Sequence, residues 1–111
     1  MDIKNSLSKY ALTVGIPGFD TSGVQESAEI LMEERVDYEF RTTLVREFHT
    51  EADLLSIAHW LEGAKRYRLQ NFVDSGALIQ IGLHGFSSEE MHAFAELVRP
   101  YFADISLRGV D

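Results

Sequence analysis

The stretch DYEFRTTLV (residues 37–45) decides the fold class, because it is rich in the β-branched and aromatic residues that favour strands. Its residues alternate between two faces, with Tyr38, Phe40, Thr42 and Leu44 on one and Glu39, Arg41, Thr43 and Val45 on the other. In a chain with 45% apolar residues, a strand of this length is expected to be buried on both faces. The arginine at its centre therefore requires an explanation.

Around this strand the pattern alternates between strands and helices. The other strand candidates are MDIK (1–4), KRYRLQNF (65–72) and ADISLRGV (103–110). Helices are predicted to start at Ser22 with Gln25, at Thr50 with Asp53, and at Ser87 with Glu90. Gly63 is expected to end the second helix, and Pro100 to distort the third. This order predicts a single α/β domain over residues 1–111, with a mostly parallel sheet built from βαβ units.

One connection is long for such a unit. VDSGALIQIGLHGF (residues 73–86) carries three glycines between the third strand and the last helix. Loops of this length in compact domains are often functional, and a short extra strand around residues 78–81 is an equally good interpretation.

Composition excludes several classes of function. The net charge of −8 has the wrong sign for a protein that binds nucleic acid through phosphate contacts. The apolar runs are far shorter than the roughly 20 residues of a membrane span, and no signal segment opens the chain, so a cytoplasmic protein is expected. The chain has no cysteine, which excludes cysteine-held clusters and thiolate nucleophiles, and its four histidines lack metal-ligand spacing. No metal site is predicted.

In parallel α/β folds, ligands bind beyond the carboxyl ends of the strands. The polar residues expected there are Lys4, Asn5, Thr43, Arg46, Gln70, Asn71 and Arg108. This edge of the sheet is therefore the first place to look for a site.

Several motifs in order resemble a known family. The chain resembles the C-terminal half of radical S-adenosylmethionine activating enzymes. The motifs that carry this resemblance are MDIK, SKYALTVG, the segment from VDYEFRTTLV through EFHTE to LQNF, and the closing RPYF and LRGV. The match is best to anaerobic ribonucleoside-triphosphate reductase activating proteins, followed by pyruvate formate-lyase activating enzymes. It covers nearly the whole chain, and its specificity comes from the order of the motifs.

The resemblance implies the second half of a partial (β/α)6 barrel. Enzymes of this family hold a [4Fe-4S] cluster on a CxxxCxxC loop and cleave S-adenosylmethionine, and the resulting radical removes a hydrogen atom from a glycine of a partner glycyl radical enzyme. This chain has no such loop, so we expect it to be inactive alone and to be a fragment, a product of an internal start, or a degenerate relative. No catalytic residue is assigned.

The resemblance also assigns cofactor-binding residues. Asp2 and Lys4 match a DxK motif whose lysine contacts the carboxylate of S-adenosylmethionine and whose aspartate lies near the cofactor. Arg41 matches an arginine that points into the barrel lumen, with Thr43 on the same face. Gln70 is assigned to the adenosine pocket. In the family's terms, one face of DYEFRTTLV packs on helices and the other faces a polar lumen.

Alternatives to these assignments remain open. Asp2 and Lys4 could simply be solvated, and Arg41 could form an internal ion pair with Glu39 or lie on an exposed edge strand. The chain as a whole could instead be a non-catalytic α/β interaction domain. Because half a barrel leaves a strand edge exposed, self-association into a homo-oligomer is expected.

Overall fold

The computed structural model describes residues 1–33, 38–73 and 82–109. Its helices are α1 Tyr10–Val14, α2 Ser22–Met32, α3 Glu51–Trp60 and α4 Ser88–Val98, with 3-10 turns at Leu7–Lys9 and Arg99–Tyr101. Its strands are β1 Phe40–Leu44, β2 Arg66–Asn71 and β3 Asp104–Arg108. The alternation of helices and strands confirms the predicted α/β class.

The three strands form a parallel sheet in the order β1-β2-β3. Residues 1–4 run alongside β1, where the Ile3 amide donates to the Arg41 carbonyl at 2.7 Å and the Arg41 amide donates to the Met1 carbonyl at 2.9 Å. This pairing is a single parallel bridge between Asp2 and Arg41. The predicted first strand is therefore one bridge long, and it adds a fourth parallel segment beside β1.

The core lies on one face of this sheet. Phe40, Leu44, Tyr67 and Leu69 are buried there and belong to one apolar cluster with side chains of three helices. Those side chains include Ala28 of α2, Leu54, Ile57 and Ala58 of α3, and Met91, Phe94, Ala95 and Val98 of α4. All three long helices therefore cover the same side of the sheet.

The opposite face is polar. In β1 the burial alternates strictly, with Arg41 exposed between buried Phe40 and buried Thr42. The initial expectation that this strand is buried on both faces is wrong, because its second face carries the charged and polar residues that the alternation had placed there. In the described residues this face carries Asp2, Lys4, Glu39, Arg41, Thr43, Arg66, Arg68, Gln70, Asp104, Ser106 and Arg108.

Local capping signals set two of the helix starts. Thr50 and Ser87 are the N-caps, as predicted, and each forms a reciprocal capping box, with Asp53 and with Glu90. The prediction for α2 is wrong by one residue, because Thr21 is the N-cap and the Gln25 side chain donates to the Thr21 hydroxyl at 2.9 Å.

A glycine and a proline lie just after the ends of α3 and α4. Gly63 has a left-handed backbone (φ 92°) just after α3. Pro100 lies in the 3-10 turn that follows α4, as predicted, since proline cannot continue the α-helical hydrogen bonds. The 3-10 turn at Leu7–Lys9 and the five-residue α1 were not predicted, because they are too short for a helical period to show.

The possible strand around residues 78–81 lies outside the described residues, as do the first residue of DYEFRTTLV and position 110. The later part of the same connection, residues 82–86, is described, and residues 84–86 form hydrogen bonds with Arg46 and Asn71 at the carboxyl end of the sheet.

Candidate functional site

The five residues predicted to bind a cofactor lie together on the polar face. Asp2 pairs with Arg41, and Thr43 pairs with Gln70, as register partners on neighbouring segments. Partners in a parallel sheet share a face, and Lys4 follows fully buried Ile3, so it points to the polar side as well. The polar face therefore carries Asp2, Lys4, Arg41, Thr43 and Gln70.

Lys4 and Asp2 form an ion pair at the edge of this face. The Lys4 ammonium lies 2.5 Å from an Asp2 carboxylate oxygen, and the two side chains are 51% and 34% exposed. An exposed pair of this kind contributes little to stability, so the ammonium can exchange its partner for another carboxylate at small cost. The backbone below is better fixed, because His49 Nε2 donates to the Lys4 carbonyl at 2.8 Å.

Arg41 lies exposed at the centre of the face. No described residue forms a hydrogen bond or an ion pair with its guanidinium. The proposed internal pair with Glu39 is wrong, since Glu39 lies 3.3 Å from the Arg68 guanidinium on β2 instead. A diagonal neighbour on the next strand is within reach of two long side chains, which explains this choice. Arg41 is thus a cation available to a ligand.

Thr43 and Gln70 extend the face toward the carboxyl ends of the strands. Both side chains are partly exposed, and Gln70 pairs in register with exposed Arg108 of β3. A hydroxyl and an amide at this position can donate to or accept from a polar ligand without adding charge.

A buried hydrogen bond supports the face from below. The Tyr67 hydroxyl donates to Thr42 Oγ1 at 2.7 Å, across the β1–β2 pair. Burial raises the pKa of the Tyr67 phenol well above its usual value, although the bond with Thr42 lowers it. The phenol therefore stays neutral, and it serves as a structural link.

A short segment at residues 84–86 anchors the carboxyl edge of the sheet. Asn71 forms two reciprocal bonds with Phe86, accepting from its amide at 2.8 Å and donating to its carbonyl at 2.7 Å. The Arg46 amide donates to the His84 carbonyl at 2.7 Å, and its guanidinium lies 4.7 Å from the Phe86 ring centre. Arg46 and Asn71, which the sequence predicts at the ligand-binding edge of the sheet, instead hold this segment in place.

A second polar network lies behind the N-terminal segment. Asn5 is fully buried, and its amide donates to Thr13 Oγ1 and to the Phe48 carbonyl, both at 2.9 Å. Asp53 is only 5% exposed and accepts from Lys9 at 2.9 Å and from the Thr50 amide at 2.8 Å. Sequence analysis assigned Asp53 only to a helix cap, since its contact with Lys9 spans 44 positions.

The ion pair between Arg46 and Glu90 leads to a testable pH dependence. Nη1 and Nη2 of Arg46 donate to the Glu90 carboxylate at 3.1 and 2.5 Å, and this bonding lowers the pKa of Glu90 to about 2 from its usual 4.5. The pair therefore favours the folded state above pH 4.5, and its contribution disappears as the pH falls toward 2. An NMR titration of the Glu90 carboxyl carbon is expected to have its midpoint near the lower value.

The matched variant for this titration is Arg46→Gln. Without the guanidinium, the Glu90 midpoint is expected to return toward 4.5. A midpoint already near 4.5 in the unmodified protein would show that the pair does not form in solution.

Comparison with known proteins adds no relative. No protein-family model, no curated protein and no solved structure matches this chain. The family resemblance drawn from the sequence therefore stays a prediction.

The described part of the chain offers neither a metal-binding cluster nor a membrane-spanning helix. Over residues 1–33, 38–73 and 82–109, no group of three or more His, Asp or Glu side chains is placed to hold a metal ion. None of the helices in those ranges combines the length and the apolar character that crossing a bilayer requires.

Proposed function

We propose that this chain is the C-terminal portion of a radical S-adenosylmethionine activase, of the type that activates anaerobic ribonucleotide reductase. In this proposal the sheet is the second half of a partial (β/α)6 barrel, and its polar face is the wall that contacts the cofactor. A glycyl radical enzyme is the partner of the complete activase.

The observation that carries the proposal is the asymmetry of the sheet. Its parallel segments follow one another in chain order, its three long helices cover one face, and the other face is polar. In a closed barrel of this kind, the face away from the helices is the interior. Five polar residues chosen from the family pattern lie on that face, which supports the assignment.

The two groups that the family uses fit this chain differently. The iron–sulfur cluster does not fit, because the chain has no cysteine to hold it. S-adenosylmethionine fits better, since Arg41 and Lys4 offer two exposed cations for its carboxylate. When bound, it supplies the family's radical chemistry. The residues of this chain bind and orient it.

Calorimetry with S-adenosylmethionine tests this assignment. The chain is expected to bind the ligand, and Arg41→Gln or Lys4→Gln is expected to weaken binding by about tenfold, since each removes a charge-assisted hydrogen bond. Arg99→Gln is the matched control, because Arg99 is an exposed arginine that pairs with Glu96 after α4. Its affinity should equal that of the unmodified chain.

A second ligand identifies the group that is recognised. 5′-Methylthioadenosine lacks the amino-acid carboxylate, so Lys4→Gln should leave its affinity unchanged. Equal losses for both ligands would show that Lys4 does not contact the carboxylate. Absence of S-adenosylmethionine binding would contradict the proposed function. Unchanged affinity in both Arg41→Gln and Lys4→Gln would contradict it as well.

A further inference from the structure

A groove lies at the amino end of the polar face, away from Thr43 and Gln70. It has a volume of about 430 Å³, and the described residues that line it are Tyr38, Glu39, Arg66 and Arg68. Tyr38 and Glu39 precede β1, and Arg66 opens β2, so the groove lies where these strands begin. It is therefore distinct from the carboxyl-end surface, and its volume is in the range of small-molecule sites.

Basic side chains are concentrated at this groove. Arg66 and Arg68 share a face of β2, and Arg41 of the neighbouring strand β1 pairs in register with Arg68. The strand repeat places the Cα atoms of Arg66 and Arg68 roughly 6.6 Å apart along β2. The spacing between neighbouring strands places the Cα atoms of Arg41 and Arg68 roughly 4.8 Å apart. Their acidic neighbours include Glu39 and Asp104, and Asp104 pairs in register with Arg66. Arg66 Nε donates to the Tyr38 carbonyl at 3.2 Å, which holds this side chain at the groove.

Basic residues outnumber acidic residues over the whole polar face. Five of the ten basic residues of the chain lie there, with three acidic residues, in a protein of net charge −8. A positive surface on an acidic protein attracts small anions while the remaining surface repels polyanions such as nucleic acids.

Arg68 has hydrogen-bonding capacity that the protein leaves unused. Its Nε is buried and has no hydrogen-bond partner, and its Nη2 has a 3.3 Å contact with Glu39. A buried N–H without an acceptor costs free energy, so a small rotation of the guanidinium toward an anion in the groove would be favourable. The planar edge formed by Nε and Nη2 matches two oxygens of a phosphate.

We propose that this groove binds a compact polyanion of the diphosphate class, either as inorganic diphosphate or as the diphosphate of a nucleotide. Two arginine side chains line the groove and a third lies on the neighbouring strand, so adjacent phosphates can each meet one guanidinium, whereas a single carboxylate would engage only one. The proposal rests on Arg66 and Arg68, whereas the proposed function rests on Lys4 and Arg41; Arg41 borders both surfaces.

Isothermal titration with inorganic pyrophosphate at low ionic strength tests the site. The unmodified chain is expected to bind, and Arg68→Gln is expected to weaken binding by about tenfold or more. Arg68→Lys keeps the charge and loses the planar edge, so it should give a smaller loss. Circular dichroism shows whether Arg68→Gln folds. If it does not fold, Arg66→Gln replaces it, and the same loss of pyrophosphate affinity is expected.

Two controls separate this site from general charge effects and from the cofactor wall. Arg99→Gln removes an exposed arginine outside the groove and should leave the affinity unchanged. Lys4→Gln should also leave pyrophosphate binding unchanged, so failure of one proposal does not decide the other. ADP is titrated in parallel. Equal affinities for ADP and pyrophosphate indicate that only the diphosphate is recognised, and a higher affinity for ADP indicates that the ligand is a nucleotide.

The proposal is overturned by either of two results. One is the absence of pyrophosphate binding to the unmodified chain. The other is equal affinity in Arg68→Gln and Arg99→Gln, which would make the binding a general property of the charged surface.

Discussion

Replacing Gly85 by alanine is expected to lower the free energy of unfolding by about 3 kcal/mol or more, because the new methyl group has no space. A Cβ built at this position lies 2.3 Å from the Phe72 carbonyl oxygen and 2.6 Å from Asn71 Oδ1. The first of these atoms belongs to the backbone immediately after β2, so it cannot rotate away. Relief of the clash requires the 84–86 segment to separate from the sheet.

Urea denaturation of the unmodified protein and of Gly85→Ala measures this loss of stability. The matched control is Gly23→Ala. Gly23 lies in α2, and a Cβ there meets no atom within 4 Å. Alanine also has the higher helix propensity, so this control should be neutral or up to about 1 kcal/mol more stable. Equal stability of Gly85→Ala and Gly23→Ala would show that the 84–86 segment is not packed on the sheet in solution.

The same substitution should be visible at the carboxyl edge. Asn71 makes both of its side-chain amide bonds with Phe86, next to Gly85. Because those bonds keep the end of β2 in place, their loss is expected to reach Gln70, the last proposed cofactor contact in that strand. Amide chemical shifts of Gln70 and Asn71 would report it.

Features with local causes were predictable from the sequence. The helix starts at Thr50 and Ser87 depend on two residues three positions apart, and both N-caps are confirmed. The box predicted at Ser22 failed for an equally local reason, since Thr21 next to it also has a hydroxyl, and the Gln25 side chain bonds to Thr21.

The polar face was partly readable. Charged and polar residues alternate with apolar ones in both β1 and β2, which is the pattern of a sheet covered on one side. The overall apolar content suggested burial on both faces, and it was the weaker guide, because composition does not say which residues alternate. The partner of Glu39 was not readable, because it depends on the register between two strands.

Contacts between distant positions were beyond sequence reasoning. Asn71 and Phe86 are 15 positions apart, and Lys9 and Asp53 are 44 apart. Neither pair belongs to a repeating pattern, so only the assembled fold brings them together. The short helix α1 belongs to the same class, since its Thr13 is fixed by Asn5 of the N-terminal segment.

Replacement of Asp53 by alanine is the second change expected to have a large effect, a loss of about 2 to 4 kcal/mol in the free energy of unfolding at pH 7. The carboxylate accepts from Lys9, from the Thr50 amide and from the Ser6 hydroxyl at 3.4 Å. Ser6 is 1% exposed, so its hydroxyl would lose a partner where water does not readily replace it. Glu51→Ala, at an exposed acid in the same first turn, should change stability by less than about 0.5 kcal/mol.

The pH dependence of this difference tests the charge of Asp53 itself. Burial on its own raises the pKa of this carboxyl, but the bonds from Lys9 and Thr50 outweigh it and hold the pKa below the usual 3.8. Because the folded pKa is lowered, the stabilisation is complete above pH 3.8 and is lost as the pH falls through the folded value. The gap between the unmodified protein and Asp53→Ala should therefore be constant from pH 7 to about pH 5 and shrink below pH 4. A gap that grew on acidification would mean that the protonated form is the one the network holds, and Lys9 would then lack the ionic role assigned to it.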